Sequence, residues 1–389
     1  MSSSNSSSNN SNSNNNSNYL LYRKTIACND VISNDYDNNE DNNHYVLNIT
    51  NTCDNNNYIT SLSNNTINCY DINTMNIIYS LNNIHNNSSI NIIETSCNNS
   101  NIYYSGSSDK TVNIYDSRVS SLSLLPISKI IYPDEIISLS IGMNDTLLAA
   151  GYNNTISFID IRYISSNTSL STIKYDKIKL GEYSDVHTDI ITQLKFLKSN
   201  QSILVSAADD GLICTYNTSV SESESAILSI LNTDCPIRKF GFFGNNNDEG
   251  LYCLSTIETL SIWHHSSALR IGNYNNIRND LNIDYLVDCY YNNDDDSLKL
   301  IGGKYNGDGI ITKVEPNSLT LESNLLSGHS AEIRCANVSS SSSFNNIIAT
   351  GGEDAKICTW VPSNVINDST NTNSKSIHKP SKDRRSKPY

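Results

Sequence analysis

Short apolar runs, separated by polar turns rich in Asn, Ser, Asp and Gly, recur along this chain and predict β-strands joined by tight connections. Three segments show the pattern most fully: YYSGSSDKTVNIYDSR from Tyr103, ILVSAADDGLICTYNT from Ile203 and IIATGGEDAKICTWVP from Ile347. Each reads as a strand ending in small residues, a turn containing Asp, and a second strand with alternating polarity. His85, His187 and His329 lie about 20 residues upstream of the small residues, the last preceded by Gly328. Four further segments carry the pattern in part. NYITSLSNNTINCYDI places Tyr70 in the second strand with Asn64 in the turn, and LLAAGYNNTISFIDIR places Ile159 there with Asn153. GLYCLSTIETLSIWH ends on Trp263 with Ile257 in the turn, and LKLIGGKYNGDGIITKV ends on Val314 with Asp308. The marker positions 70, 115, 159, 216, 263, 314 and 360 are then spaced by 45, 44, 57, 47, 51 and 46 residues.

A four-stranded unit repeating near this period, with insertions in its loops, predicts a β-propeller, and seven units predict seven blades. The three fullest segments resemble the WD repeat. In that family a His before the first strand, a Ser or Thr on the second, an Asp in the next turn and an aromatic on the third form a buried hydrogen-bonded set. The resemblance therefore implies the sets His85, Ser105, Asp109, Tyr115; His187, Ser206, Asp210, Tyr216; and His329, Thr350, Asp354, Trp360. The turn exposes backbone N–H groups that Asp accepts while also pairing with His, and the hydroxyl links the imidazole to the aromatic's polar tip. Only the third set has the family's Trp; Tyr supplies a hydroxyl in the others.

Nothing strand-like follows Trp360, which leaves the last blade one strand short. The isolated run YLLYRKTI, Tyr19 to Ile26, is the natural outer strand of that blade, closing the ring and removing an exposed edge. The reading is thus an all-β, single seven-bladed propeller over residues 19–362, between an Asn/Ser-rich tail over 1–18 and a basic tail over 363–389. Both tails are expected to be disordered, the first because SSSNSSSNNSNSNNNSN has no apolar side chain to bury. Four segments in order, KLGEYSDVHTDIITQLKF, NIDYLVDCYY, LIGGKYNGDGIITKV and GHSAEIRC…TGGEDAKICTW, together with the basic tail, resemble one branch of the WD-repeat family.

Charge changes the picture in two places. The formal net charge of −14 argues against general nucleic-acid binding, which needs Lys and Arg against phosphates. From Asn364 onward six Lys/Arg face two Asp, so this tail is +4 and the body before it −18. KPSKDRRSKPY from Lys379 can act as a nuclear import signal or a weak nucleic-acid-contacting arm. No run of about 18 apolar residues predicts a membrane span, and the N-terminus has no signal-peptide pattern. The ten cysteines are expected to be reduced thiols in the cytoplasm or nucleus, with Cys214, Cys253 and Cys358 packed as small apolar groups in strands. No Cys-x-x-Cys pair points to zinc.

Candidate chemistry beyond the scaffold is sparse. The His264-His265 pair has no nearby carboxylate to complete a metal site. Gly302-Gly303-Lys304 lacks the upstream Gly of a phosphate loop, and Asp294-Asp295-Asp296 lacks the Gly of a calcium loop. The expectation is no enzyme, no cofactor and no metal. Ser221–Ser225, alternating with Glu, reads as a flexible loop. Asp116-Ser117-Arg118 and Asp160-Ile161-Arg162 follow the marker position in consecutive blades. They resemble the Asp-x-Arg motif of WD-repeat substrate receptors that dock on cullin-RING ubiquitin ligase adaptors, with Arg available for a bidentate contact. The functional expectation is a protein-binding scaffold or adaptor, the alternative a substrate receptor of such a ligase.

Overall fold

The computed structural model describes residues 18–27, 44–118, 125–165, 171–245, 249–264, 266–339 and 346–362. Both tails lie outside these residues, apart from Asn18, which begins the first strand. Seven antiparallel, four-stranded units form a ring. Their innermost strands are Val46–Asn51, Ile90–Thr95, Ser138–Gly142, Ile191–Phe196, Ile237–Phe243, Tyr285–Asn292 and Ile333–Ser339. The outermost are Ile77–Leu81, Ser128–Ile131, Lys179–Tyr183, Ile227–Asn232, Leu269–Tyr274, Ser318–Leu325 and, for the seventh, Asn18–Ala27. These units are blades 1 to 7.

Burial explains the composition of each strand. The second strands Leu147–Tyr152, Gly250–Ser255 and Ile347–Gly352 are buried on both faces, so they read as unbroken apolar or small runs, whereas the equally buried Ser297–Gly303 carries Lys299, paired with Asp295 and Glu322. The outer strand Ile227–Asn232 has solvent on one side and alternates. Seven apolar clusters fill the spaces between neighbouring blades, one per interface, from Val46, Tyr58 and Ile347 across blades 7 and 1 to Val287, Ile301 and Trp360 across blades 6 and 7. Stability is therefore shared between blades that each need both neighbours. The small residues that mark the repeat have a packing reason. A Cβ on Gly106 meets Ile136 at 2.5 Å, and one on Gly351 meets Val46 at 2.5 Å, so each position admits the next blade's chain.

Ring closure follows the register expected from the missing strand. Asn18–Ala27 pairs antiparallel with Lys356–Pro362, Tyr22 opposite Trp360 and Ile26 opposite Ile357. Its first residues also pair in parallel with the outer strand of blade 6, Asn18 opposite Ser323. Across the closing interface, the hydroxyls of Tyr58 and Ser339 meet at 2.7 Å and the Cys335 thiol lies 3.6 Å from the Val46 carbonyl. Cys214, Cys253 and Cys358 are buried in strands.

Three sequence readings need correction. In blade 6 the hairpin pairs Gly303 with Gly309 and Leu300 with Thr312, which centres the turn on Asn306 rather than Asp308. The marker position is then Thr312, fully buried, and not the half-buried Val314. With 312 in place of 314 the last spacings become 49 and 48. The long 57-residue spacing holds an excursion: Ser171–Lys174 leaves blade 3 and pairs in parallel with Ser128–Ile131, giving blade 2 a fifth strand. The Ser/Glu run is not simply a loop. Ser223–Ala226 form one helical turn, held by Ala226 N–H donating to the Glu222 carbonyl at 2.9 Å, with Ala226 buried.

Candidate functional site

The structure brings together each of the three histidine sets. His85 Nδ1 lies 3.0 Å from Asp109 Oδ1 and its Nε2 2.6 Å from Ser105 Oγ, whose hydroxyl bonds that of Tyr115 at 3.3 Å. His187 has the same distances to Asp210 and Ser206, and Ser206 reaches Tyr216 at 3.2 Å. His329 Nδ1 sits 3.0 Å from Asp354 and Nε2 2.8 Å from Thr350 Oγ1, which accepts from Trp360 Nε1–H at 2.8 Å. A carboxylate only accepts, so Nδ1 carries the proton and Nε2 takes the hydroxyl's. Each Asp also serves its turn: Asp354 accepts from the N–H groups of Ser330 and Lys356, Asp210 from those of Thr188 and Leu212. The histidines are buried, as are their hydroxyl partners.

These contacts set the electrostatics. Burial alone would raise the Asp109 and Asp354 carboxyls, but hydrogen bonds from His85 and Thr111 hold the first, and from His329 and Ser330 N–H the second, at about 2. Burial pushes His187 down, against the opposing pull of Asp210, and favours the neutral ring. All three imidazoles have both nitrogens engaged inside the protein wall. They act in the fold.

One element of these sets was not singled out in the sequence. The residue two before the aromatic, on the same face of its strand, often supplies a further partner. Asn68 Nδ2 donates to the Tyr70 hydroxyl at 3.0 Å, Asn113 Nδ2 to that of Tyr115 at 3.1 Å, and Trp263 Nε1–H to Ser261 Oγ at 2.8 Å. The signal was present as Asn-x-Tyr twice and Ser-x-Trp once, at the spacing that puts two side chains on one strand face.

In each Asp-x-Arg segment the arginine closes on its own aspartate. Arg118 donates from Nε to Asp116 Oδ1 at 2.9 Å and from Nη2 to Oδ2 at 2.5 Å, and its own N–H caps the same carboxylate at 3.0 Å. Arg162 repeats this on Asp160 with the same three distances. The guanidinium bond holds each carboxyl below its ordinary range. The arginine side chains stay 63% and 72% exposed at the ends of third strands in neighbouring blades. They lie at the opposite end of the ring from the histidines, because Asp116 pairs with the start of the second strand at Ile102, whereas the histidines sit by its end.

That same end opens on the axis of the ring. Two cavities of about 570 and 480 Å³ are lined by the inner strands of all seven blades, among them Asn51, Glu94, Ser140, Lys195, Gly241, Asp288 and Asn337. The other sequence candidates do not converge on it. Gly302-Gly303 lies within a strand, and Asp294–Asp296 forms an exposed hairpin tip where Asp295 bonds Lys299. His264 bonds Ser267 on the surface, and His265 lies outside the described residues. Among the described residues no three His, Cys, Asp or Glu side chains are placed to hold a metal ion, and no helix is long and apolar enough to cross a membrane.

The sequence profile "WD domain, G-beta repeat" matches residues 321–360, the span holding the complete set of His329, Thr350, Asp354 and Trp360. WD repeat-containing protein 89 homolog of Dictyostelium discoideum is 32% identical over 269 residues, 67% of this chain and 68% of that protein. WD repeat-containing protein GTS1 of Arabidopsis thaliana is 31% identical over 278 residues, 67% of this chain and 66% of that one. A chain in the crystal structure of the mitotic checkpoint complex superposes with a TM-score of 0.65 over 93% of this chain and 98% of its own, at 12% identity, a likeness of fold. The branch resembled by the four ordered segments is the one that the Dictyostelium protein represents, and the chain belongs to the WD-repeat family.

Proposed function

We propose that the protein is a non-enzymatic scaffold that holds other proteins on a rigid seven-bladed ring. The observation that carries this reading is the apolar outer rim. Ile78 of blade 1, Leu180 of blade 3, Leu228 and Ile230 of blade 4, Leu269 and Ile271 of blade 5, and Leu321 of blade 6 are large, apolar and exposed on outermost strands. Recurrence of such side chains on one surface type supports protein docking, since each costs solvation until covered. The histidines and their aspartates, the residues most suited to chemistry, are enclosed in the blade walls. Replacing Leu228 and Leu269 with Lys should leave the melting temperature unchanged and remove proteins that co-purify with the wild-type ring. Identical co-purifying sets for wild type and variant would overturn the reading.

Docking on a ubiquitin-ligase adaptor is the narrower alternative. What supports it is the exposure of Arg118 and Arg162 at equivalent places on neighbouring blades. Co-purification of the adaptor with the wild type, lost on Arg118→Ala with Arg162→Ala, is the outcome that this alternative requires.

A further inference from the structure

The axial cavities are lined by two lysines that meet no carboxylate at ion-pair distance among the described residues. Lys195, on the inner strand of blade 4, donates to the Phe240 carbonyl at 3.1 Å and has no carboxylate at ion-pair distance among the described residues. Lys198, just beyond that strand, makes no hydrogen bond or ion pair among the described residues, and both lysines line both cavities. This is unexpected in a chain with 40 Asp and Glu against 26 Lys and Arg, where a free lysine has many acids to meet. The nearby acids are mostly engaged. Asp288 is closed on Lys239 at 2.6 Å and accepts from Tyr252, and Asp145 accepts from Ser96 and the N–H groups of Cys97 and Asn98.

A second observation points to the kind of ligand. Asn337 Oδ1, on the inner strand of blade 7, is buried against both cavities and has no hydrogen-bond partner among the described residues. A buried amide oxygen asks for an N–H donor. A ligand that satisfies the wall must therefore bring both negative charge for the lysines and a donor for the amide. A peptide segment carrying Asp or Glu brings both, its side chains to Lys195 and Lys198 and a backbone N–H to Asn337. A small inorganic anion near neutral pH supplies the first far better than the second.

We propose that the axial mouth on the Asp-x-Arg end of the ring, built by Lys195, Lys198 and Asn337, binds an acidic peptide segment of a partner protein. The inference deepens the scaffold reading, and uses a surface separate from the apolar rim. Glu94 stands in the same cavity and opposes an acidic ligand when ionised. Burial pushes its carboxyl up to about 7 despite Lys195 and Lys198. The Cys97 thiol of blade 2 stands beside it, itself flanked by Asp145 of blade 3 and by the Cys53 thiol of blade 1. At pH 8 Glu94 is ionised, so Glu94→Gln should tighten the peptide severalfold.

The test is fluorescence anisotropy with the full chain and a labelled peptide of about ten residues alternating Glu and Gly, beside a Lys/Gly peptide of equal length. The acidic peptide is expected to bind and the basic one to fail. Lys195→Gln with Lys198→Gln should weaken binding at least about tenfold, as for loss of charged anchors. Inorganic phosphate at about 10 mM, an ionic strength that screens little, should not displace the peptide. Unchanged binding in the double variant overturns the proposal. So does full displacement by phosphate, which would make the mouth a small-anion pocket. Circular dichroism checks the fold; if the double variant does not fold, Lys198→Gln alone, at an exposed position, carries the same test. Leu228→Lys with Leu269→Lys should bind the peptide normally, so failure of the rim reading is seen separately.

Discussion

The indole N–H of Trp263 donates to Ser261, two residues back on its own strand, whereas that of Trp360 crosses to Thr350 on the neighbouring strand. The difference comes from an exchange of hydroxyl and thiol at two paired positions, Cys253 opposite Ser261 in blade 5 and Thr350 opposite Cys358 in blade 7. Cys253 occupies in blade 5 the place that Thr350 occupies in blade 7, and a buried thiol is a poor acceptor. Trp360 therefore ties two strands and a histidine together through its N–H, whereas the Trp263 N–H bond stays within its own strand and its ring reaches outward to Arg270, 5.2 Å from the centroid. Trp360→Phe should cost about 2–3 kcal/mol in denaturant unfolding and Trp263→Phe about 1 kcal/mol, from the lost cross-strand bond and the cavity. The reverse order would break the account of the two sites.

Asp354→Ala should destabilise by about 2–4 kcal/mol, because it strips His329 and the N–H groups of Ser330 and Lys356 of their acceptor. Asp308→Ala should cost less than about 0.5 kcal/mol, since among the described residues the Asp308 carboxylate accepts only from the exposed Asn306 amide. Chemical denaturation of the two variants side by side decides it.

Acid should weaken the ring in a defined window. The Asp109 and Asp354 carboxyls are near 2 in the folded chain against 3.8 ordinarily. A depressed folded value means stability that is present above about pH 4 and lost as pH falls toward 2, about 2 kcal/mol for each. His187 acts in the same direction at higher pH. Its value is depressed below 6.5, so the unfolded chain takes up the proton first and stability falls as pH drops below 6.5. Melting temperature measured from pH 8 to pH 3 should decline in both windows, and Asp109→Asn should flatten the lower one.

Removing residues 1–17 should leave the unfolding transition unchanged. Removing residues 1–27 deletes the strand that pairs with Lys356–Pro362, and should lower the melting temperature by about 10 °C or more with loss of cooperativity. Equal melting curves for the two truncations would remove the closure argument.

Arg118→Ala with Arg162→Ala should change unfolding free energy by less than about 1 kcal/mol, because both side chains are exposed and each pair is local to one turn. A larger loss would show that these turns support neighbouring blades.

What could be read from the sequence was set by short-range repetition. The His, hydroxyl, Asp and aromatic of one set lie within about 31 residues of one another, before the first strand, on the second strand, in the next turn and on the third strand, so their spacing survives from blade to blade and marks Ser105, Ser206 and Thr350 without coordinates. The closing strand was legible for a topological reason: seven repeats ended one strand short, and Tyr19–Ile26 was the free run left to supply it. Tertiary structure decided the rest. Hairpin register, fixed by which faces pack against blades 5 and 7, moved the blade 6 turn centre from Asp308 to Asn306. Ser171–Lys174 found its partner in another blade, a parallel pairing that no local pattern encodes. The axial mouth joins Glu94, Lys195 and Asn337 from three blades, residues up to 243 positions apart by 337 − 94. Each looks unremarkable in its own strand, and only closing the ring places them in one cavity, where burial and proximity give them a shared chemistry.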